Sequence, residues 1–423
     1  MAPDVRAEQG AVLLPAHGVS ARRRAARLAV LAVALIALTS CAQLRIVARG
    51  GAALEDAEHF AQAPVRASSE PRSLAVGKPL ASDEFPWMVI EGFGRRIEGD
   101  WPELMRKTAT RAFLIYRDGA LVFEWYDRPQ TAGQALLGHS LSKPVVSLLL
   151  AMAHADGAIA SLDDSITRYL PNLADADPRW SAVTLRQLDD MRQVIAGPGD
   201  REAPITMAGR LYLSLDLVRM LRQFRPVDDP STVQAMRYHS ASTQLVALAI
   251  EAATGERLDR YFARRLWQPM GAEAPALWNL DREGGAVKAF CCLSATARDW
   301  IRFGALFLEP SPPLVPAETR NTLASATRGD KYRAGWFVDP SSVKAKRAEW
   351  ARCLGDPSKR TAWGYLGQTL IVHPDQRWVA VRLGERGEVV MTPALATMLA
   401  CDLMGTRTDT PPAPPAPSPG SPR

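Results

Sequence analysis

The clearest alternation in the chain runs from Ala112 to Tyr126, where apolar, aromatic and β-branched residues flank Asp118-Gly119. Two such runs around an Asp-Gly pair predict a β-hairpin, because that dipeptide accepts the left-handed backbone of a tight turn. An antiparallel sheet should begin here. The spacing then becomes helical. Val145 to Ala153 is an apolar run behind Ser140-Leu141-Ser142-Lys143-Pro144, with Asp156-Gly157 as its stop. Val183 to Leu188 reads as a short helix capped by Thr184, and Leu211 to Phe224 shows helical spacing. Ala241 to Ala253 shows it more clearly, with Leu245, Leu248, Ala249 and Ala252 on one face and Gly255 behind them. Strand patterns return at Phe337-Val338, Gln368 to His373 and Trp378 to Leu383, with a turn at Pro374-Asp375. Pro393 opens a closing helix to Met404. The middle of the chain is therefore helical and its ends are strand-rich.

The flanks carry weaker patterns. Residues 41–80 are rich in Ala, Arg, Ser and Glu without a clear strand pattern and read as a tether. Ala81 to Asp100, with Phe85-Pro86-Trp87 and Gly92-Phe93-Gly94, reads as a loop that packs aromatics onto the domain. Gly92-x-Gly94 lacks the rest of a dinucleotide fingerprint and precedes no helix. Residues 406–423 hold a run of prolines among Ala, Ser and Gly and read as a disordered tail that cannot bury a core.

Composition narrows the class. The chain has 423 residues, 47% hydrophobic and 23% charged, enough for a substantial core. The formal charge of +6 comes from scattered Lys and Arg, and no dense basic stripe with interleaved aromatics points to nucleic acid. The densest basic cluster, Arg22-Arg23-Arg24 with Arg27, stands before the apolar run Leu28 to Leu38. That run is short for a membrane span and right for the core of a secretory signal. Leu38-Thr39-Ser40-Cys41 follows and resembles a bacterial lipobox, which implies removal of residues 1–40 and a lipid on Cys41. Ala42 after the Cys implies, by the same resemblance, the periplasmic side of the outer membrane; a plain secretory signal or a membrane anchor is the alternative. Cys291, Cys292, Cys353 and Cys401 remain, and an oxidising compartment permits bridges among them. A bond between the neighbours Cys291 and Cys292 would strain the chain, which favours one longer bridge to Cys353 or Cys401; four buried free thiols are the alternative.

The candidate chemistry sits at Ser140 and Lys143. Residues three apart share a helix face, so the amine lies over the hydroxyl. A Ser hydroxyl needs an adjacent base to become a nucleophile. A Lys serves once burial lowers its affinity for a proton. Ser142 lies beside Lys143 in sequence but points off that face. The histidines supply no rival: His139 neighbours Ser140 with a diverging side chain, and no His-Glu-x-x-His or Gly-x-Ser-x-Gly motif exists.

Ser-x-x-Lys is the signature of the serine β-lactamases and penicillin-binding proteins. Two further segments are similar to that superfamily. Met236-Arg237-Tyr238-His239-Ser240 resembles the Tyr-x-Asn motif of its class C branch, with Ser240 in place of Asn. Gly364-Tyr365-Leu366-Gly367-Gln368 resembles its Lys-Thr-Gly strand, reading Tyr-Leu-Gly. Asp156 to Pro171, Leu266 to Gly271 and Ala297 to Gly304 resemble the esterase and 6-aminohexanoate-oligomer hydrolase side of the group. The resemblance covers roughly Ala112 to Met404. It implies a β-lactamase/transpeptidase-like α/β (α+β) fold across residues 81–405: an antiparallel sheet flanked by helices, with a helical subdomain inserted over roughly 150–290.

It also implies roles. Ser140 is the nucleophile, Lys143 its general base and Tyr238 the proton shuttle. Ser240 orients Lys143, Tyr365 and Gly367 line the substrate, and the backbone N–H groups of Ser140 and Gln368 form the oxyanion hole. The expected reaction is cleavage of a small-molecule ester or amide through an acyl-enzyme, without cofactor or metal. Three departures stand out. Pro144 follows the Lys, where it should bias Lys143 away from helical angles. Ser240 reaches less far than Asn, and Leu188 to Gly197 departs from the usual pocket loop. The rival readings are a D,D-peptidase or true β-lactamase, against which Tyr365 in place of Lys argues, and a lipid-anchored binding protein with a dead cleft.

Overall fold

A computed structural model of the protein describes residue 46 and residues 51–77, 88–92, 95–197, 206–227, 235–308, 314–326, 330–338 and 353–404. The expected signal, Cys41 and the proline-rich tail lie outside the described residues. The chain divides into a unit ending at Ala52 and one beginning at Ala53, and the second holds everything below.

In chain order the early strands are β1 (Gln62–Val65), β2 (Ala75–Val76), β3 (Met88–Gly92), β4 (Arg95–Gly99), β5 (Thr110–Arg117), β6 (Ala120–Tyr126) and β7 (Leu136–Leu137). Helix α1 (Trp101–Lys107) precedes β5, and α2 (Ser142–Ala155) follows β7. After short helices and the two-residue pair β8 (Ile195–Ala196) and β9 (Arg225–Pro226) comes α3 (Ser240–Thr254). Then follow β10 (Ala276–Asn279), β11 (Leu293–Ala295) and α4 (Ala297–Ala305). The chain closes with β12 (Tyr332–Arg333), β13 (Trp336–Phe337), β14 (Arg360–Gly364), β15 (Gln368–His373), β16 (Trp378–Gly384) and α5 (Pro393–Leu403).

Local sequence explains most of these boundaries. Asp118 and Gly119 both take positive φ, +48° and +94°, which the hairpin of β5 and β6 requires at its two central residues. Thr184 caps its short helix with a reciprocal bond to Gln187. Gly255 ends α3 in the left-handed region. Thr392 and Pro393 open α5. The stretch from Leu211 to Phe224, expected to be one helix, is broken: helices cover Met207–Leu213 and Leu217–Leu221, with Asp216 capping the second.

Strands β12-β13-β14-β15-β16-β5-β6-β2 form one eight-stranded sheet, and β1-β10-β11-β7 a smaller one. The large sheet is antiparallel except for β2, which runs parallel to β6. One face buries Phe113, Ile115, Ile371 and Ala380 against Trp101 and Leu104 of α1 and Leu395 and Leu399 of α5. Helix α4 packs on β5, β15 and β16. The small sheet carries the chain into α2, and α3 packs on α2. The loop before α2 thereby sits at the seam of both sheets.

Three expectations fail here. The tether is not free over its second half, because Gln62–Val65 pairs with Asn279–Ala276 across the sequence. Met88–Gly92 pairs with Arg95–Gly99, strands where a loop was expected; Phe85 to Trp87, Phe93 and Gly94 lie outside the described residues. The bridges join Cys291 to Cys292 and Cys353 to Cys401, so no long bridge links the two pairs. Cys292 accommodates the neighbouring bond with φ of +75°, in the left-handed region.

Candidate active site

Ser140 occupies a 3-10 turn, His139–Leu141, just ahead of α2 rather than within it. The turn is clamped from both sides. Gly138 N–H donates to Leu293 O at 2.9 Å. Ser142 Oγ donates to His139 O at 2.8 Å and accepts from Leu293 N–H at 3.3 Å. Ser142 thus faces away from the chemistry and stitches the turn to β11. His139 holds φ of +48°, an uncommon conformation for a residue with a Cβ, directly before Ser140.

Lys143 Nζ lies 2.7 Å from Ser140 Oγ and 2.7 Å from Phe290 O. The lysine is only 2% exposed. Burial pushes its pKa down from the usual lysine value to about 7. Water cannot solvate an ammonium there, so the neutral amine competes well near neutrality. Nζ donates to both Ser140 Oγ and Phe290 O in this arrangement.

Pro144 does not displace Lys143 from the helix, contrary to expectation. It is the third residue of α2, where a missing N–H breaks no intrahelical bond. Its neighbour is Gly335, at φ +82°, where a Cβ would lie 2.4 Å from Pro144 Cα. The β12–β13 turn therefore presses its backbone onto the start of α2. Asp190 holds that turn, accepting from Arg333 and from Ala334 N–H at 3.1 Å.

Tyr238 stands two residues before α3 and meets the pair. Its ring lies 4.9 Å from Lys143 Nζ, stacks on Phe337 at 5.7 Å and meets Tyr332 edge-on at 5.9 Å. It is 42% exposed overall, yet its phenol is closely surrounded by protein. Burial pushes the phenol well above its ordinary value, and the neighbouring Ser140 hydroxyl acts in the opposite sense. Ser240 opens α3 beside it, but the hydrogen bonds of Lys143 run to Ser140 and Phe290, not to Ser240. The expected orienting hydroxyl is replaced by a backbone carbonyl.

Across the cleft, Tyr365, Leu366 and Gly367 form the turn between β14 and β15. Tyr365 is 48% exposed and meets the His139 ring edge-on at 5.5 Å. Gly367 takes φ of +81°, where a Cβ would strike Met391 O. Gln368 pairs with Gly364, and its buried side chain exchanges bonds with Gly384. Gly364 is the residue that touches the serine turn: a Cβ there would lie 2.5 Å from Gly138 O. The Gln368–Gly364 pair is therefore brought against the turn that carries Ser140.

Electrostatics leave few charges beside Ser140. Burial first, and Lys143 second, hold the His139 imidazole down to about 3, so it is neutral. Asp189 accepts from Ser147, one helical turn beyond Lys143, at 2.6 Å. Burial and the adjacent Asp190 push its carboxyl up to about 7. Among the described residues no cluster of His, Cys, Asp and Glu could hold a metal. A cavity of about 460 Å³ lined by Arg72, Arg260 and Arg264 includes none of these groups. Sequence reasoning missed Phe290, Gly335 and Asp190. Only Asp190 left a trace, in the altered loop after Leu188.

The chain is similar to known proteins over most of the described region. A family model described as Beta-lactamase matches residues 102–396. A 6-aminohexanoate-dimer hydrolase from Paenarthrobacter ureafaciens is 26% identical over 248 residues, 56% of this chain and 62% of that protein. Among solved structures, a Bacillus anthracis protein provisionally called a 6-aminohexanoate-dimer hydrolase superposes with a TM-score of 0.68 at 20% identity, covering 82% of this chain and 91% of that one. A penicillin binding protein from Bacillus halodurans gives 0.54 at 15% identity, covering 72% and 99%.

Proposed function

Because the chain belongs to the beta-lactamase family, we propose that it is a serine hydrolase that cleaves an ester or amide through an acyl-enzyme on Ser140. The observation that carries this is the 2.7 Å contact between Lys143 Nζ and Ser140 Oγ in a pocket dry enough to favour the neutral amine. Ser140 Oγ bonds to the substrate carbonyl carbon as Lys143 accepts the hydroxyl proton. Backbone N–H groups of Ser140 and Gln368 receive the oxyanion, a contribution of about 3–4 kcal/mol per donor in comparable sites. Tyr238 stays protonated, because burial holds its phenol high, so it relays a proton to the leaving group rather than acting as the base. Water then attacks the acyl carbon, returns its proton through Lys143 and frees Ser140.

The open side of the cleft carries Tyr365 where a β-lactam or peptidoglycan enzyme of this resemblance has a Lys for the substrate carboxylate. Short-chain nitrophenyl esters should be turned over measurably and cephalosporins poorly. Side-by-side assays with a nitrophenyl acetate and a chromogenic cephalosporin decide the matter. A cephalosporin rate above the ester rate would move the protein to the lactamase reading. The proposal includes export, with a lipid on Cys41 holding the enzyme to the periplasmic side of the outer membrane. Cys41→Ala should abolish labelled fatty-acid incorporation and release the protein from the membrane fraction; unchanged incorporation would remove the anchor.

A further inference from the structure

The acceptor that holds Lys143 lies on an unusual piece of chain. Phe290 is followed at once by the bonded neighbours Cys291 and Cys292, and these by Leu293, whose N–H and O clamp the serine turn. One four-residue segment therefore touches Lys143 and the two residues, Gly138 and Ser142, that flank the turn carrying Ser140. Both sulfurs are buried, at 4% and 0% exposure for their residues.

Its ends are fixed from outside. Upstream, Lys288 Nζ donates to Tyr212 O and Ser214 O, and Ala289 N–H donates to Gln244 Oε1 at 2.9 Å. Downstream, Leu293 joins the small sheet opposite Trp278. Between them Trp278 Nε1 donates to Cys291 O, and Asn279 N–H donates to Cys292 O at 3.0 Å. The weak point is Cys292, at φ of +75°. A residue with a Cβ leaves that region readily unless something over-determines it. A bond to the preceding side chain closes a small ring around the intervening peptide and removes that freedom.

Resting on the reading of Lys143 as base, we propose that the Cys291–Cys292 bond is a positioning device for the catalytic lysine. It fixes the Phe290 carbonyl at the distance that holds the amine over Ser140. Opening the bond by two-electron reduction with a dithiol, which is itself oxidised to a cyclic disulfide, would give two thiols and let Cys292 relax. Phe290 O would then leave Lys143, and a displacement of about 1 Å in a catalytic group costs roughly 10²-fold in rate.

The test uses the full chain carrying Cys353→Ser and Cys401→Ser, so that one bridge remains. Intact-mass analysis after alkylation of the unfolded chain without reductant should show Cys291 and Cys292 unmodified; two alkylated thiols would overturn the proposal. Phosphine reduction should lower kcat roughly 10²-fold, leave KM nearly unchanged and move the acid limb of kcat/KM, and reoxidation should reverse all three. Should that background fail to fold, the variant pair below is read in the natural chain without reductant, where Cys353–Cys401 stays closed. The pair Cys291→Ala/Cys292→Gly, which accepts positive φ without a bridge, should keep far more activity than Cys291→Ala/Cys292→Ala. Equal losses in the two variants, or a reduced enzyme with unchanged kcat and pH profile, would overturn it. Labelling of Ser140 by a fluorophosphonate in the oxidised enzyme separates the two ideas. With labelling present, an indifferent response to reduction sinks this inference alone; with labelling absent, the base reading falls and takes this inference with it.

Discussion

Ser140→Ala should abolish turnover of a nitrophenyl ester, by roughly 10⁴-fold or more, and should yield no covalent adduct with a slow ester. The expectation follows from the single hydroxyl that Lys143 Nζ reaches, at 2.7 Å. The informative partner is Ser142→Ala. Ser142 Oγ is fully buried and is committed to His139 O and Leu293 N–H. Removing it leaves Leu293 N–H without its acceptor, at about 1–3 kcal/mol of stability, while His139 O keeps the Ser142 backbone N–H. Ser142→Ala should therefore melt earlier yet still form the adduct, and at a temperature where it is folded it should keep most of its rate. Intact-mass spectrometry and a melting curve on both variants read the two effects separately. A dead Ser142→Ala beside an active Ser140→Ala would move the nucleophile to position 142.

The second large effect concerns Lys143 and pH. Its pKa is held at about 7 by burial. Below that value the amine carries a proton and cannot take one from Ser140. The kcat/KM profile should accordingly fall towards acid with a midpoint near 7, and rise to a plateau above it. Lys143→Arg keeps the charge but cannot lose it at working pH, so it should lose roughly 10³-fold or more across the whole range, with no plateau. Lys143→Ala should be as poor, and Ser140→Ala/Lys143→Ala no worse than the worse single variant, because the two groups share one proton transfer. A Lys143→Arg enzyme that keeps a tenth of the rate would exclude lysine as the base. The sign on stability is the same: the folded state prefers neutral Lys143, so this contribution is full above the unfolded lysine value and is lost as pH falls through about 7.

What could be read from sequence was local. The β5–β6 hairpin, the Thr184 cap, α3 with its Gly255 stop and the Ser140–Lys143 spacing each depend on residues within a turn or two of one another. What was hidden depends on distance along the chain. Phe290 O reaches Lys143 across 147 positions, and a carbonyl belongs to every residue, so no side chain advertises it. Strand β1 is short, and its partner β10 lies beyond the whole helical region. Pro144 misled because the rule for the residue before proline is a bias. Here the packing of Gly335 and the bonds of Lys143 outweigh it. The neighbouring cysteines misled in a similar way, since strain was judged without the left-handed backbone at Cys292.

The order of strands in the large sheet also governs when this protein can assemble. β5 finds β6 immediately, but its other neighbour is β16, Trp378–Gly384, and β16 in turn joins β5 to β15. The small sheet waits in the same manner, since β1 and β7 pair with β10 and β11. A chain emerging from its N-terminus can therefore close neither sheet until most of it has been made. Non-local closure of this kind is slow, because loop entropy is lost before any contact repays it. Until the last strands arrive, the polypeptide is held open by its own topology, which is the state in which a chain can be threaded through a narrow channel.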